Sequence, residues 1–190
     1  MKFIGTKTLE TKRLILRKVT AADAIKAYQN WCSNDNVARY VAWEKHKNVD
    51  ETQKLYSLWE EEYQDPKTFR WIVELKDNGE VIGTIDVSKK FLQFGTCEIG
   101  YCYGEKFWGQ GYGTEALKRV MEYLFKEADA DVVWAEHMTL NPASGKVMAK
   151  AGLKYETILH KRVNDKNGHK DDLIVYYLTK EDYFKEQQNG

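Results

Sequence analysis

The sequence has little of what marks several large classes of protein. Its 190 residues include two prolines and no low-complexity tract, so nothing indicates a linker between domains. Lys+Arg and Asp+Glu both total 29, whereas nucleic-acid and acidic-membrane binders normally carry a basic excess. No apolar run approaches the ~20 residues of a membrane span, and the N-terminus lacks a signal-peptide core. These absences favour one globular domain over residues 1–190 that binds neither nucleic acid nor membrane.

Side chains that ligate metals are also few and scattered. The three cysteines form no CxxC pair, and their odd number predicts reduced thiols in the cytoplasm. The four histidines share no spacing typical of ligands, so we expect no metal. These residues are Cys32, Cys97, Cys102, His46, His137, His160 and His169.

The stretch 98–114, EIGYCYGEKFWGQGYGT, has a strand pattern that runs into a glycine-rich turn. Directly after this glycine turn (residues 108–114), apolar residues recur at helical spacing. A strand, a glycine turn and a helix in succession can bind phosphate, because the curled backbone and the helix start present unpaired N–H donors. The alternative is a glycine turn without a ligand. The helical residues are Ala116, Leu117, Val120, Met121, Leu124 and Phe125.

Spacing excludes two common phosphate-binding motifs at this turn. A nucleotide P-loop requires G-x-x-x-x-G-K-[ST]; Gly104 and Gly109 are correctly separated, but Gln110 and Gly111 follow them. A dinucleotide-binding fingerprint requires G-x-G-x-x-G, and Thr114 stands where its last glycine should be. Neither of these two motifs therefore describes the turn.

The other patterns predict a mixed α/β sheet in the order β α α β β β α β α β β. Its start is antiparallel, and one strand–helix–strand crossover occurs at the glycine turn. Asn78-Gly79 is a strong hairpin signal, and Asn141-Pro142 is typical of a helix start. Strands are predicted at residues 14–18, 69–75, 81–87, 95–103, 131–136, 153–159 and 173–178, and helices after Thr20, Asn48, the glycine turn and Asn141.

Four separate segments within residues 9–179 make this sequence similar to the GCN5-related N-acetyltransferases (GNAT). The glycine turn resembles their acyl-CoA loop, Q/R-x-x-G-x-G/A, with Trp108 at the first position. The subgroup that acetylates N-termini of ribosomal proteins, with its small-molecule relatives, often has W-G-x-G-Y there. The other three segments are 11–17 (TKRLILR), 98–101 (EIGY), and Asn141-x-x-Ser144 with 150–153 (KAGL).

The resemblance implies an enzyme that moves an acetyl group from acetyl-CoA to a primary amine by direct attack in a ternary complex. It leaves the acceptor open between a protein N-terminus and a small-molecule amine, and it leaves a homodimer open. The alternative is a catalytically weak acyl-CoA-binding sensor or scaffold. Met148 favours that alternative, because many family members have a hydroxyl-donating tyrosine at this position.

The resemblance also implies where coenzyme A lies. The strand that ends at Tyr103 and the strand at 131–136 are expected to splay apart, so that pantetheine amides pair with a free strand edge, while N–H groups of the glycine turn bind the pyrophosphate. Lys146 is either a partner of the 3′-phosphate or a solvated surface lysine. The candidate contacts are Tyr101, Cys102, Tyr103, Trp108, Gly109, Gln110, Gly111, Tyr112, Gly113, Thr114, Asn141 and Lys146.

Three residues are candidates for proton transfer. Ser144 matches a serine of relatives that act on ribosomal proteins, where a hydroxyl can protonate the leaving thiolate; alternatively it is an ordinary first-turn serine. Glu98 and Glu156 are the candidate bases, and either can instead be a solvated strand residue. Some relatives that act on ribosomal proteins have an acidic residue further along the strand that contains Glu156, where this chain has His160. The aromatic segment 40–43 (YVAW) is predicted either to pack in the core or to line the acceptor pocket.

Overall fold

One sheet of eight strands organises the computed structural model, which describes residues 1–188. Its spatial order is β1-β2-β3-β4-β5-β6-β8-β7. All neighbouring strands run antiparallel except β5 and β6, which are parallel. The strands are β1 (Leu9–Glu10), β2 (Leu14–Arg17), β3 (Arg70–Leu75), β4 (Val81–Ser88), β5 (Thr96–Tyr103), β6 (Val132–Met138), β7 (Lys154–Asn164) and β8 (Lys170–Thr179).

The helices occupy the predicted places, with additions. The helix predicted after Thr20 is divided into a 3-10 turn (Ala21–Asp23), α1 and a π-helical turn (Tyr28–Cys32). The sequence reading missed α2, α6 and the short β1. No helix within residues 1–188 is both long enough and apolar enough to cross a bilayer. The helices are α1 (Ala24–Ala27), α2 (Asp35–Ala38), α3 (Val49–Glu61), α4 (Tyr112–Lys126), α5 (Pro142–Ala151) and α6 (Lys180–Gln188).

Two hydrophobic cores lie on opposite faces of the sheet. The larger one joins the sheet to α4 and is centred on fully buried residues such as Leu117 and Tyr123. The smaller one lies under α1 and α3 and contains Trp31 and Tyr56. Because side chains alternate between the faces of a strand, β5 sends Ile99 to the larger core while its neighbours on either side face the other way. The strands therefore offer polar positions on the α1/α3 face.

Candidate functional site

Strands β5 and β6 separate in the middle of the sheet. Among the described residues, their ladder runs from the Thr96–Val132 pair to the Glu98–Trp134 pair and stops there. Beyond this point β5 stays paired with β4 as far as Tyr103, while β6 pairs with β8. The predicted splay is confirmed. It leaves one edge of β5 unpaired, and such an edge can add an extended, amide-containing chain.

The glycine turn closes one end of this splay. Gly109 and Gly111 have φ of +74° and +83°, a left-handed conformation that side chains with a Cβ rarely adopt. The α4 helix starts at Tyr112, and the N–H of Glu115 donates to Gly111 O at 3.0 Å. The N–H groups of the residues before Glu115 at the start of the helix have no partner within the helix. A curled loop followed by a helix N-terminus fits a pyrophosphate.

Trp108 fixes the glycine turn to the end of β5. Its indole Nε1 donates to Tyr103 O at 2.7 Å, while the side chain remains 42% exposed. Gln110 is exposed and donates from Nε2 to Lys106 O at 2.8 Å. These two bonds tie the turn to the strand and to the segment before it, so the tryptophan has a structural role where many family members have Gln or Arg.

Tyr103 lies between the glycine turn and α5. A Cβ on Gly113 would stand 3.3 Å from its ring and 3.5 Å from Val147. The Tyr103 hydroxyl is buried and has no hydrogen-bond partner within residues 1–188. Burial raises the pKa of Tyr103, so the phenol stays protonated. Buried polar groups normally have a partner, and a polar ligand in the splay fits this unsatisfied hydroxyl.

The start of α5 forms the opposite wall of the splay. Asn141 caps the helix as predicted, accepting from Ser144 N at 3.3 Å. The Tyr101 hydroxyl crosses from β5, donates to Ser144 O at 3.0 Å, and lies 2.8 Å from Ser144 Oγ. Met148 is buried at 1% exposure. A tyrosine hydroxyl is thus present beside Ser144, supplied by β5 instead of α5.

Three carboxylates line the α1/α3 face of the splay. Glu98 is at its apex, Glu136 lies on β6 two residues past the partner of Glu98, and Asp86 on β4 pairs with Gly100. A Cβ on Gly100 would stand 3.3 Å from Asp86 Oδ1, so the absence of a side chain leaves room for this carboxylate over β5. The sequence reading missed Asp86 and Glu136, because only the strand register places them beside Glu98.

The environment perturbs two of these carboxyl groups. Burial raises the pKa of Asp86 and the charge of Glu98 adds to the rise, while Arg70, with Nε 3.7 Å from Oδ2, opposes it. Burial also raises the pKa of Glu136, again with a contribution from Glu98. Burial and nearby negative charge both disfavour the ionised form of a carboxyl group, and pKa values shifted in this way are common at functional sites.

One predicted site residue lies apart from this arrangement. Glu156 is exposed in a bulge of the edge strand β7. Because β8 lies between β7 and β6, and neighbouring strands are about 4.8 Å apart, Glu156 stands two strands away from the splay. Lys146 is exposed on α5. Cys102 lies on β5, but its side chain packs against the smaller core.

The aromatic segment 40–43 reaches the β7–β8 hairpin. Lys166 Nζ, at the hairpin tip, donates to Trp43 O and Glu44 Oε1, each at 2.9 Å. Trp43 is partly buried and packs against the smaller core, and its ring centroid lies 5.7 Å from that of His46. The same segment thus joins the core to a loop beyond the carboxyl end of β6 and the amino end of β8. In the described part of the chain, no cluster of three or more His, Cys, Asp or Glu is placed to hold a metal.

Comparison with known proteins identifies the family. The model of the acetyltransferase (GNAT) domain matches residues 13–154. The N-acetyltransferase YoaA of Bacillus subtilis, itself uncharacterised, is 31% identical over 172 residues, which cover 90% of this chain and 96% of YoaA. The [ribosomal protein uS5]-alanine N-acetyltransferase of Escherichia coli is 27% identical over 156 residues, covering 78% of each chain.

A solved structure shares the fold. The microcin C7 self-immunity acetyltransferase MccE, solved in complex with acetyl-CoA and AMP, superposes with a TM-score of 0.77 at 19% identity, over 89% of this chain and 93% of that one. The GNAT family uses acetyl-CoA, and the glycine turn and the splayed strand edge fit that molecule. With the family model matching most of its length, the chain belongs to the GNAT acetyltransferases and is an acetyltransferase enzyme.

Proposed function

We propose that this enzyme transfers the acetyl group of acetyl-CoA to a primary amine in a ternary complex. The observation that carries the proposal is the splay between β5 and β6. It has N–H donors of the glycine turn at one end, the Tyr101–Ser144 pair on one wall and three carboxylates on the α1/α3 face. Donor binding, proton release and proton delivery thus have separate groups around one opening.

The donor site follows from backbone groups. Bound acetyl-CoA supplies an activated thioester. The N–H groups from Gly109 to Thr114 hold its pyrophosphate, and the free edge of β5 pairs with the pantetheine amides. An unpaired β5 N–H also stabilises negative charge that develops on the acetyl oxygen. These contacts orient the thioester towards the α1/α3 face, where the carboxylates lie.

The acceptor side follows from charge. An amine reaches the site mainly as an ammonium ion, and it is nucleophilic only after losing a proton. Asp86 and Glu136 attract the cation, and Glu98 at the apex takes its proton, directly or through water. Ser144, on the other wall, gives a proton to the departing thiolate. Glu156 is two strands away and is left out of this assignment.

The acceptor class divides the proposal into two testable forms. Because the E. coli relative is named as acting on alanine of ribosomal protein uS5, peptides that begin with alanine belong in an acceptor panel beside amino acids, polyamines and aryl amines. Release of coenzyme A is measured for each acceptor. Turnover with one class of amine would support the proposed acetyltransferase activity and would identify the class of acceptor.

A sensor or scaffold gives a different result in the same experiment. It binds coenzyme A in calorimetry but releases none with any amine. Glu98→Gln is the matched variant, because it keeps the size of the side chain and removes its basicity. We expect it to retain coenzyme A affinity and lose turnover at neutral pH. An unchanged rate in Glu98→Gln would contradict the assignment of the base.

A further inference from the structure

The turn between β1 and β2 lies against the start of α4, although Thr11 and Glu115 are 104 positions apart. Two bonds close this turn: Thr11 N donates to Leu14 O at 3.0 Å, and Leu14 N donates to Thr11 Oγ1 at 2.9 Å. The turn presents the Thr11 hydroxyl and the Arg13 N–H to the start of α4, and the Arg13 guanidinium to the glycine turn. It belongs to the TKRLILR segment, to which the proposed function gives no role.

Glu115, in the first turn of α4, accepts three hydrogen bonds from this segment. Its Oε1 accepts from Thr11 Oγ1 at 2.6 Å and from Arg13 N at 2.9 Å, and its Oε2 accepts from Arg13 Nε at 2.7 Å. Partial burial raises the pKa of Glu115, but the bonds from Thr11 and Arg13 outweigh it and hold the pKa below its usual value. An ionised carboxylate therefore stands one helical turn from the proposed pyrophosphate site.

Arg13 also contacts the glycine turn itself. Its Nη1 donates to Gln110 O at 3.1 Å, and its guanidinium lies over the Tyr112 ring at 4.4 Å. The peptide bond between Gln110 and Gly111 is trans, as are all those described. In a planar trans peptide the carbonyl and the N–H point in opposite directions. By holding the Gln110 carbonyl, Arg13 directs the Gly111 N–H away from itself, towards the other side of the loop.

We propose that Arg13 is a positioning residue for the phosphate end of the donor, an inference that takes the donor from the proposed function. It fixes the Gln110–Gly111 peptide so that its N–H serves the pyrophosphate. It also neutralises Glu115, whose negative charge would otherwise repel a phosphate at the same helix N-terminus. One side chain thus sets both the shape and the charge of the loop.

Arg17 provides a matched control in the same segment. Its guanidinium pairs with Asp23 at 2.7 Å and Glu74 at 2.9 Å. These partners lie in the 3-10 turn and in β3, on the side of the sheet served by α1 and α3. Arg13→Gln and Arg17→Gln therefore remove the same charge from one segment, and the first alone touches the glycine turn.

The test compares two donors, acetyl-CoA and acetyl-pantetheine, the second of which lacks every phosphate. We expect Arg13→Gln to raise the KM for acetyl-CoA about tenfold, since charge-assisted hydrogen bonds are lost. The KM for acetyl-pantetheine and the kcat at saturating donor should stay within about twofold, because neither depends on the phosphate contacts. Arg17→Gln should leave the ratio of the two KM values unchanged. Arg13→Lys keeps the charge but not the forked geometry, so its ratio should fall between wild type and Arg13→Gln.

Two results would overturn the proposal. An equal rise in both KM values with a lowered melting temperature would make Arg13 a purely structural residue. Unchanged values for both donors would leave it without a role. If no amine is acetylated, the proposed function fails separately; calorimetry with coenzyme A and pantetheine then makes the same comparison, and equal effects of Arg13→Gln on both ligands would contradict the inference.

Discussion

The hydroxyl of Tyr101 lies 2.8 Å from Ser144 Oγ and also donates to the Ser144 carbonyl oxygen at 3.0 Å. A phenol carries one hydrogen, so these two contacts compete for it. When Tyr101 donates to the Ser144 carbonyl, the Ser144 hydroxyl donates to the Tyr101 oxygen. When Tyr101 donates to Ser144 Oγ, the Ser144 hydroxyl can donate to another acceptor. Because burial raises the pKa of Tyr101, the phenol keeps its proton and orients Ser144.

Ser144→Ala should lower kcat by at least about tenfold, the low end of what a general acid contributes, since water can take its place. The substitution removes an oxygen and little volume, so folding and coenzyme A affinity should persist. The loss should shrink with a donor whose thiol is more acidic, because a better leaving group needs less protonation. Steady-state kinetics with two thioesters measures this difference.

Tyr101→Phe is the companion variant for the same pair. It leaves Ser144 in place but unoriented, so kcat should fall less than in Ser144→Ala, with the same dependence on the thiol. The double variant should be no worse than Ser144→Ala alone, because Tyr101 acts through the serine. Additive losses, or an unchanged kcat in Ser144→Ala, would show that the proton comes from elsewhere.

Gly111→Val should abolish coenzyme A binding in a protein that still folds. The residue has φ of +83°, which a β-branched side chain strongly disfavours, and an added Cβ would stand 3.5 Å from Arg13 Nη2, so the turn that presents the N–H groups would be distorted. Gly168→Val is the control: φ there is +81° and nothing lies within 4 Å of an added Cβ. Calorimetry should detect binding in Gly168→Val alone. Wild-type affinity in Gly111→Val would refute the assignment of the phosphate loop.

The glycine turn was predictable because its signals are local. Alternating glycines, a strand before them and a helical stripe behind them indicate the glycine turn from residues 98–125 alone. The Tyr101–Ser144 contact spans 43 positions and the Thr11–Glu115 contact 104. The spacing of residues in the sequence does not predict such pairs, because they depend on how β5 and β6 diverge and on how the β1–β2 turn contacts α4.

The grouping of the carboxylates on the α1/α3 face was likewise not predictable from local sequence patterns. Asp86 is an unremarkable alternating position in β4, and Glu136 is one in β6. They become neighbours of Glu98 only through the β4–β5 and β5–β6 registers. Glu156 shows the converse: its residue type suits a base, but it lies on β7, an edge strand of the sheet. The residue types indicate which chemistry is possible, but the strand order and register determine which residues lie together in one site.

Glu136→Gln should stabilise the protein at neutral pH. The folded-state pKa of Glu136 is raised by burial and by Glu98, so ionising this carboxyl is less favourable in the folded chain than in the unfolded one. The wild type therefore loses stability as pH rises from the unfolded-state pKa to the folded-state pKa, and the glutamine variant does not. The difference in melting temperature should be positive at pH 7.5 and vanish below about pH 3, where both states are protonated. The same change at Glu61, an exposed residue of α3, controls for the substitution; a lower melting temperature in Glu136→Gln at pH 7.5 would contradict the assigned sign.

Trp43→Ala should raise the KM for the amine more than the KM for acetyl-CoA. Its ring packs against the smaller core, while its carbonyl accepts from Lys166 of the hairpin, so the side chain stands where a pocket wall between core and hairpin would be. Trp59→Ala is the control, because that ring packs on Tyr56, at a centroid distance of 5.0 Å, and under Arg70, neither of which belongs to the hairpin. Both variants remove a large aromatic side chain and should lower the melting temperature. If Trp43 lines the acceptor pocket, only Trp43→Ala changes the ratio of the two KM values. An equal rise in the KM values of both substrates, in both variants, would show that Trp43 only packs in the core.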